Sequence, residues 1–181
     1  PDLAIVTNVA AVHLEGVGSL AGIAREKATL VAELSPGGRA IIPAALLDWP
    51  EFAAQTARCI AVQFEGEAAP AVVPARLVRA SFLTDARGQR SLVLDGEVFP
   101  LAPISDGLAR NAALALVAAL ELGRPSVELA AVTAHWIPPA GRGRRTRPAT
   151  FRPGPNGEWS RPNGGRQNCA RCWARRAGNW R

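Results

Sequence analysis

Three short apolar runs near the start of the chain, residues 3–7, 39–42 and 59–64, limit its fold more than any other feature. A run with no polar residue at every second position fits a strand buried on both faces, as in a parallel sheet covered by helices. Between the first two runs, Ser19 stands as an N-cap to a helical pattern from Leu20 to about Leu34, with Leu20, Ile23, Leu30, Val31 and Leu34 near one face. Ser35-Pro36-Gly37-Gly38 ends that helix, through a proline that cannot continue it and glycines that accept positive φ. Residues 49–57 read as a second helix following Asp48. Strand, helix, strand, helix, strand predicts an α/β fold with a parallel sheet.

From Ala71 the pattern changes. Residues 71–83 and 90–101 alternate as half-exposed strands do, with Asp85-Ala86-Arg87-Gly88 between them and a second tight turn at Asp95-Gly96. They predict a small antiparallel excursion at the sheet edge. Residues 107–122 then form a long helix carrying Leu108, Ala112, Ala115, Leu116, Ala119 and Leu120, with Gly123 as its αL cap. Residues 126–136 form a last helix capped by Ser126, and Pro138-Pro139-Ala140-Gly141-Arg142-Gly143 reads as a linker.

The formal net charge of +6 conceals two unlike parts. Residues 1–141 hold ten basic and fourteen acidic side chains, a net charge of −4, whereas residues 142–181 hold eleven arginines against Glu158 alone, a net charge of +10. Beyond Arg144 neither helical nor strand periodicity continues, and aliphatic residues nearly vanish after Ala149. Such a composition buries too little apolar surface to offset the entropy of ordering it. The expected organisation is therefore a domain over residues 1–137, a linker over 138–143, and an irregular basic tail over 144–181, disordered or translated out of frame. No apolar run approaches the roughly 20 residues of a membrane span, and no signal-peptide pattern opens the chain. Three cysteines, Cys59, Cys169 and Cys172, are too few for a disulfide framework and point to a reducing compartment, with a cytoplasmic location expected.

Lys27 is the only lysine in the chain; the other twenty basic residues are arginines. A lysine can give up its proton and an arginine in a protein cannot. His13 lies fourteen residues earlier, in a polar loop that also carries Asn8 and Glu15. Taken singly, His13 reads as an ordinary loop histidine and Lys27 as part of a solvated helix face flanked by Arg25, Glu26 and Glu33.

Taken together, Asn8, His13-Leu14-Glu15-Gly16, Gly18-Ser19-Leu20 and Lys27 resemble the central ATPase domain of the Mur ligases. The string is most similar to members that join D-alanyl-D-alanine to UDP-N-acetylmuramoyl-tripeptide, and the resemblance extends over about residues 1–143. It implies a partial Mur-ligase central domain, with ATP and Mg²⁺ as cofactors. His13 would be a magnesium ligand, and Lys27 would carry a carbamate that also binds the metal. That role makes chemical sense, because carbamylation turns a cation into a carboxylate and hard Mg²⁺ prefers oxygen. Glu15 is left open between this site and a solvated loop acid.

Two further stretches fit the resemblance. In residues 105–116, Asn111 matches the asparagine that members place near the adenine of ATP, although the histidine common shortly before it is missing here. In residues 136–143, Arg142 matches the linker arginine that approaches the nucleotide phosphates, a role suited to its fork of donors.

The implied parent is a cytoplasmic, monomeric ligase of peptidoglycan precursor synthesis with no membrane partner. Its ATP would phosphorylate the tripeptide carboxylate, and the amine of D-alanyl-D-alanine would attack the acyl phosphate. The chain holds no Gly-x-x-x-x-Gly-Lys-[Ser/Thr] string, no methionine, and nothing like the family's continuation past Gly143. It is therefore expected to be a fragment, inactive alone. Two rivals stay open: a sister ligase, either the third-amino-acid-adding one or folylpolyglutamate synthetase, and a non-enzymatic nucleic-acid binder acting through the basic, tryptophan-bearing tail. Cys169-x-x-Cys172 alone is too few ligands for zinc.

Overall fold

In the computed structural model, which describes residues 1–10 and 19–136, all six residues of β3 (Cys59–Phe64) are buried. β2 (Arg39–Pro43) is buried over its central residues. These two strands carry apolar side chains on both sides, so the sheet needs a helical layer on each face. The sheet has six strands in the order β1-β2-β3-β4-β5-β6, with β1 (Leu3–Ile5) at one edge. Pairing is parallel through β1, β2, β3 and β4 (Arg76–Thr84). It becomes antiparallel from β4 to β5 (Arg90–Leu94) and β6 (Glu97–Pro100), which is the expected edge excursion.

The two faces have different partners. Ala4, Ala40, Ile42, Cys59 and Ala61 pack against α1 (Leu20–Ala32) and the short α2 (Pro50–Ala53). Ile41, Ile60, Val62, Val78 and Leu92 pack against α3 (Asp106–Glu121), with Leu129 and Ala130 of α4 (Ser126–His135) beside them. Ser19 caps α1 as expected, its side-chain oxygen accepting from Gly22 N at 3.0 Å. Among the described residues no helix is long and apolar enough to cross a membrane.

Several details differ from the sequence reading. Helix α1 buries Ile23 and Val31, and Leu34 just beyond it, as expected; it also buries Ala24 and Ala28, at 0% and 4% exposure, and leaves Leu20 and Leu30 more than two-fifths exposed. The buried stripe is therefore shifted toward the alanines, and only Leu20 and Leu30 fall outside it. Similarly, α3 buries Ala109, Ala113, Leu114, Leu116, Val117 and Ala118. Most of the face expected to be core instead borders a groove against α4. The helix expected over 49–57 is only α2, preceded by a 3-10 turn at Ala44–Asp48 and followed by another at Thr56–Arg58. Gln55 leaves helical geometry, at φ −121° and ψ 20°. Its side-chain amide bonds instead to the carbonyls of Ala28 and Glu51. Residues 71–75 precede β4 rather than belonging to it. Ser126 is the first residue of α4, not its cap, whereas Ser105 caps α3 through Leu108 N. The turn expected at Asp95-Gly96 is present and separates β5 from β6, both residues at positive φ (48° and 93°), as a tight primed hairpin turn requires. The linker 138–143 and the tail 144–181 lie outside the described residues.

At the base of the parallel half, Gly38 brings three backbone segments together. Ser35 N donates to Pro1 O at 2.9 Å, Gly38 N to Ser35 O at 2.8 Å, and Arg39 N to Asp2 O at 3.0 Å. A Cβ on Gly38 would lie 3.0 Å from Ser35 O and 3.1 Å from Asp2 O. Gly38→Ala should therefore lose about 1–3 kcal/mol through displaced backbone; a urea midpoint within error of wild type would refute this.

Cys59 is 0% exposed and donates its thiol to Gln55 O at 3.3 Å. Burial pushes the thiol up from 9.0 to about 11. It therefore ionises more readily in the unfolded chain. Its contribution to stability is complete below pH 9.0 and disappears as pH rises through about 11. Between those values wild type should lose stability more steeply than Cys59→Ala, measured as urea midpoints; equal slopes would refute the claim.

Candidate functional site

The first turn of α1 is fixed by its Ser19 cap and its rotation by the alanines pressed on the sheet. Lys27 follows on the second turn, next to buried Ala28, and is itself half-buried. Its side chain reaches back to the loop leaving the C-terminal end of β1. There Lys27 Nζ donates to Asn8 O at 2.6 Å and to Asn8 Oδ1 at 3.4 Å. Asn8 is anchored from behind, since Val6 is 4% exposed and its N–H donates to Ile41 O at 3.1 Å. The sole lysine and Asn8, distant in sequence, thus meet at the carboxyl ends of the parallel strands, where open α/β sheets commonly bind ligands.

Asn8 sets two oxygens around Lys27 Nζ, and oxygen is the donor hard Mg²⁺ prefers. An ammonium at that position would repel a cation; a carbamate would add two oxygens with negative charge. Lys27 would suit magnesium only as a carbamate, the form in which it would offer oxygens of its own. Among the described residues, no group of three or more His, Cys, Asp or Glu could hold a metal ion. His13, Glu15 and Arg142 lie outside the described residues.

Asn111 is exposed on the second turn of α3, on the opposite face of the sheet from Lys27. The fold does not bring the two side chains together. Asn111 borders a groove of about 360 Å³ between α3 and α4, lined otherwise by apolar groups such as Leu108, Ala112, Val132 and Trp136. Thr133 is the one other polar lining residue, and its backbone carbonyl ties α4 to Ala102 N at 3.2 Å. A flat apolar ring with polar edge atoms suits such a groove.

Sequence reasoning missed what fixes the first turns of α3. Phe64 and Phe82 stack at 5.3 Å between centroids. Arg110 lies over Phe64 at 4.3 Å and Arg90 over Phe82 at 3.9 Å. Arg110 pairs with Glu67 and Arg90 with Asp106. Cation–π contact and ion pairing together hold the residue preceding Asn111 to the sheet. A second cavity, of about 400 Å³, lies beside Gln63 and Arg79. There the Gln63 amide is already satisfied by Glu67 O and Arg79 Nη1.

Comparison with known proteins gives a consistent set of relatives. A family model described as the Mur ligase middle domain matches residues 1–119. Over 49 residues the chain is 49% identical to UDP-N-acetylmuramoyl-tripeptide–D-alanyl-D-alanine ligase of Escherichia coli (strain K12), covering 27% of this chain and 11% of that protein. A crystal structure of MurF from Acinetobacter baumannii superposes with a TM-score of 0.59 at 22% identity, covering 83% of this chain and 32% of that one. UDP-N-acetylmuramoylalanyl-D-glutamyl-2,6-diaminopimelate–D-alanyl-D-alanyl ligase from the same organism gives a TM-score of 0.53 at 20% identity, covering 76% and 29%. At these identities the superpositions speak to the fold, a mostly parallel sheet between helices. The chain spans about a third of each solved relative and about a ninth of the curated one.

Proposed function

Since the chain belongs to the Mur ligase family through its middle domain, we propose that it is part of an ATP-dependent ligase joining D-alanyl-D-alanine to UDP-N-acetylmuramoyl-tripeptide. The observation that carries this reading is the convergence of the only lysine on Asn8 at the end of β1. The match to the Escherichia coli ligase of that name supports the choice of substrates over those of a sister ligase.

In this reading one oxygen of the tripeptide carboxylate attacks the γ-phosphorus of ATP and ADP leaves. The amine of D-alanyl-D-alanine then attacks the acyl carbon, phosphate departs with the carbon–oxygen electron pair, and the nitrogen loses a proton. Magnesium would supply charge neutralisation at the phosphates. Lys27 would take part as its carbamate: its nitrogen would bond to the carbon of CO₂ with two protons passing to solvent, and the new carboxylate would, with His13, hold the metal. Asn111 and the groove beside it receive the adenine. Arg142 would supply its guanidinium fork to the phosphates. The first turns of α3, held by Arg110 and Arg90, keep Asn111 in place.

Alone, the 181-residue chain is not a working ligase, because it carries no phosphate-binding Gly-x-x-x-x-Gly-Lys-[Ser/Thr] string. The purified chain should show no tripeptide-dependent ATP hydrolysis; a tripeptide-dependent release of phosphate would overturn this.

Replacing the matching segment of the Escherichia coli ligase with this chain's middle-domain residues would test the wider reading. The hybrid should form product from D-alanyl-D-alanine. Lys27→Arg within it, which keeps a positive charge but cannot take up CO₂, should lower kcat by about 10²–10³-fold, the scale of losing one preorganised electrostatic group. An arginine hybrid as active as the lysine one would sink the proposed role of Lys27.

A further inference from the structure

We propose that Asn8 is the positioning residue of Lys27, serving its side-chain nitrogen first as an amine and then as a carbamate; the second half rests on the carbamylation reading above. Among the described residues, both acceptors for Lys27 Nζ come from this one residue, the backbone carbonyl at 2.6 Å and the side-chain oxygen at 3.4 Å. Each partner is fixed from its own side. Ser19 and the buried alanines hold α1, and the Val6–Ile41 hydrogen bond holds the start of the Asn8 loop. The nitrogen is therefore placed before any metal or nucleotide arrives.

What distinguishes asparagine is that its amide carries an acceptor and a donor on one stem. When the lone pair of the lysine nitrogen attacks CO₂, an N–C bond forms and one C=O pair moves onto oxygen. Two protons leave the former ammonium for solvent, which balances R–NH₃⁺ + CO₂ → R–NH–CO₂⁻ + 2H⁺. One N–H remains, and the nearer Asn8 carbonyl continues to accept it. The side-chain amide needs only a half-turn about its last bond, a soft two-fold torsion, to present its NH₂ to the new carboxylate. Alanine offers neither function. Aspartate offers the acceptor alone and sets a negative charge against the carbamate.

The composition makes the test unambiguous, because a chain with one lysine gives one side-chain nitrogen signal under ¹⁵N-lysine labelling. The 181-residue chain and its Asn8→Ala and Asn8→Asp variants are compared by NMR, with folding checked from amide dispersion. At mildly acidic pH, exchange of the Nζ protons with water should be about two- to tenfold faster in Asn8→Ala, the factor set by losing one ordinary hydrogen bond. In Asn8→Asp it should be no faster than in wild type. Under ¹³C-bicarbonate at alkaline pH, wild type should show a ¹³C–¹⁵N carbamate signal, reduced about tenfold or more in both variants, as expected for a lost charge-assisted bond.

A merely structural asparagine would not separate the two readouts in Asn8→Asp. Unchanged Nζ exchange in Asn8→Ala overturns the proposal whether or not an adduct forms. Wild-type levels of carbamate in Asn8→Asp overturn it equally. Absence of any carbamate in wild type, with the exchange contrast intact, overturns the carbamylation reading and supports Asn8 as the holder of the amine.

Discussion

Burial of β2 and β3 on both faces is the constraint from which the rest of the arrangement follows. Two strands that bury mostly apolar side chains on both faces must be covered twice. That requirement puts α1 and α2 on one side and α3 and α4 on the other. It also explains why Lys27 and Asn111 occupy different layers. Lys27 with Asn8 and the groove beside Asn111 are thereby kept on opposite faces of the sheet. The antiparallel hairpin of β5 and β6 is an addition to this plan, and it extends the core toward α3 through Leu92, Leu94 and Phe99.

Much of the fold was legible because the decisive signals were local. β3 could be bounded to the residue, since Cys59 to Phe64 is an uninterrupted buried run between a turn and a glycine. The Ser19 cap, the Asp95-Gly96 reversal and the Gly123 terminus each rest on chemistry that one or two residues carry. The errors came where packing decided. On α1, Ile23, Val31 and Leu34 were rightly placed inside, but Leu20 and Leu30 lie largely in solvent while Ala24 and Ala28 pack with Ala4, Ala40 and Ala61. The 49–57 segment is helical only over α2, and at Gln55 the backbone leaves helical geometry while the side-chain amide bonds to the carbonyls of Ala28 and Glu51.

The candidate site was legible in its residues and hidden in its contacts. Asn8 and Lys27 stood out through a motif, yet no spacing rule announces that a carbonyl at the end of one strand will accept from a lysine nineteen positions on. The clamp of Arg90 and Arg110 on two stacked phenylalanines was invisible for the same reason. Its members come from β3, β4, β5 and α3, and only the sheet order makes them neighbours.

The groove beside Asn111 has walls of unequal strength. Helix α3 buries six residues and has a side-chain cap, whereas α4 buries none, has no side-chain cap, and leaves Val127 and Val132 mostly in solvent. Helices with so little buried area open at a small fraction of the global unfolding free energy. The groove therefore has one wall held by deep burial and another held by partly buried Leu129 and Ala130 and by the Thr133–Ala102 hydrogen bond.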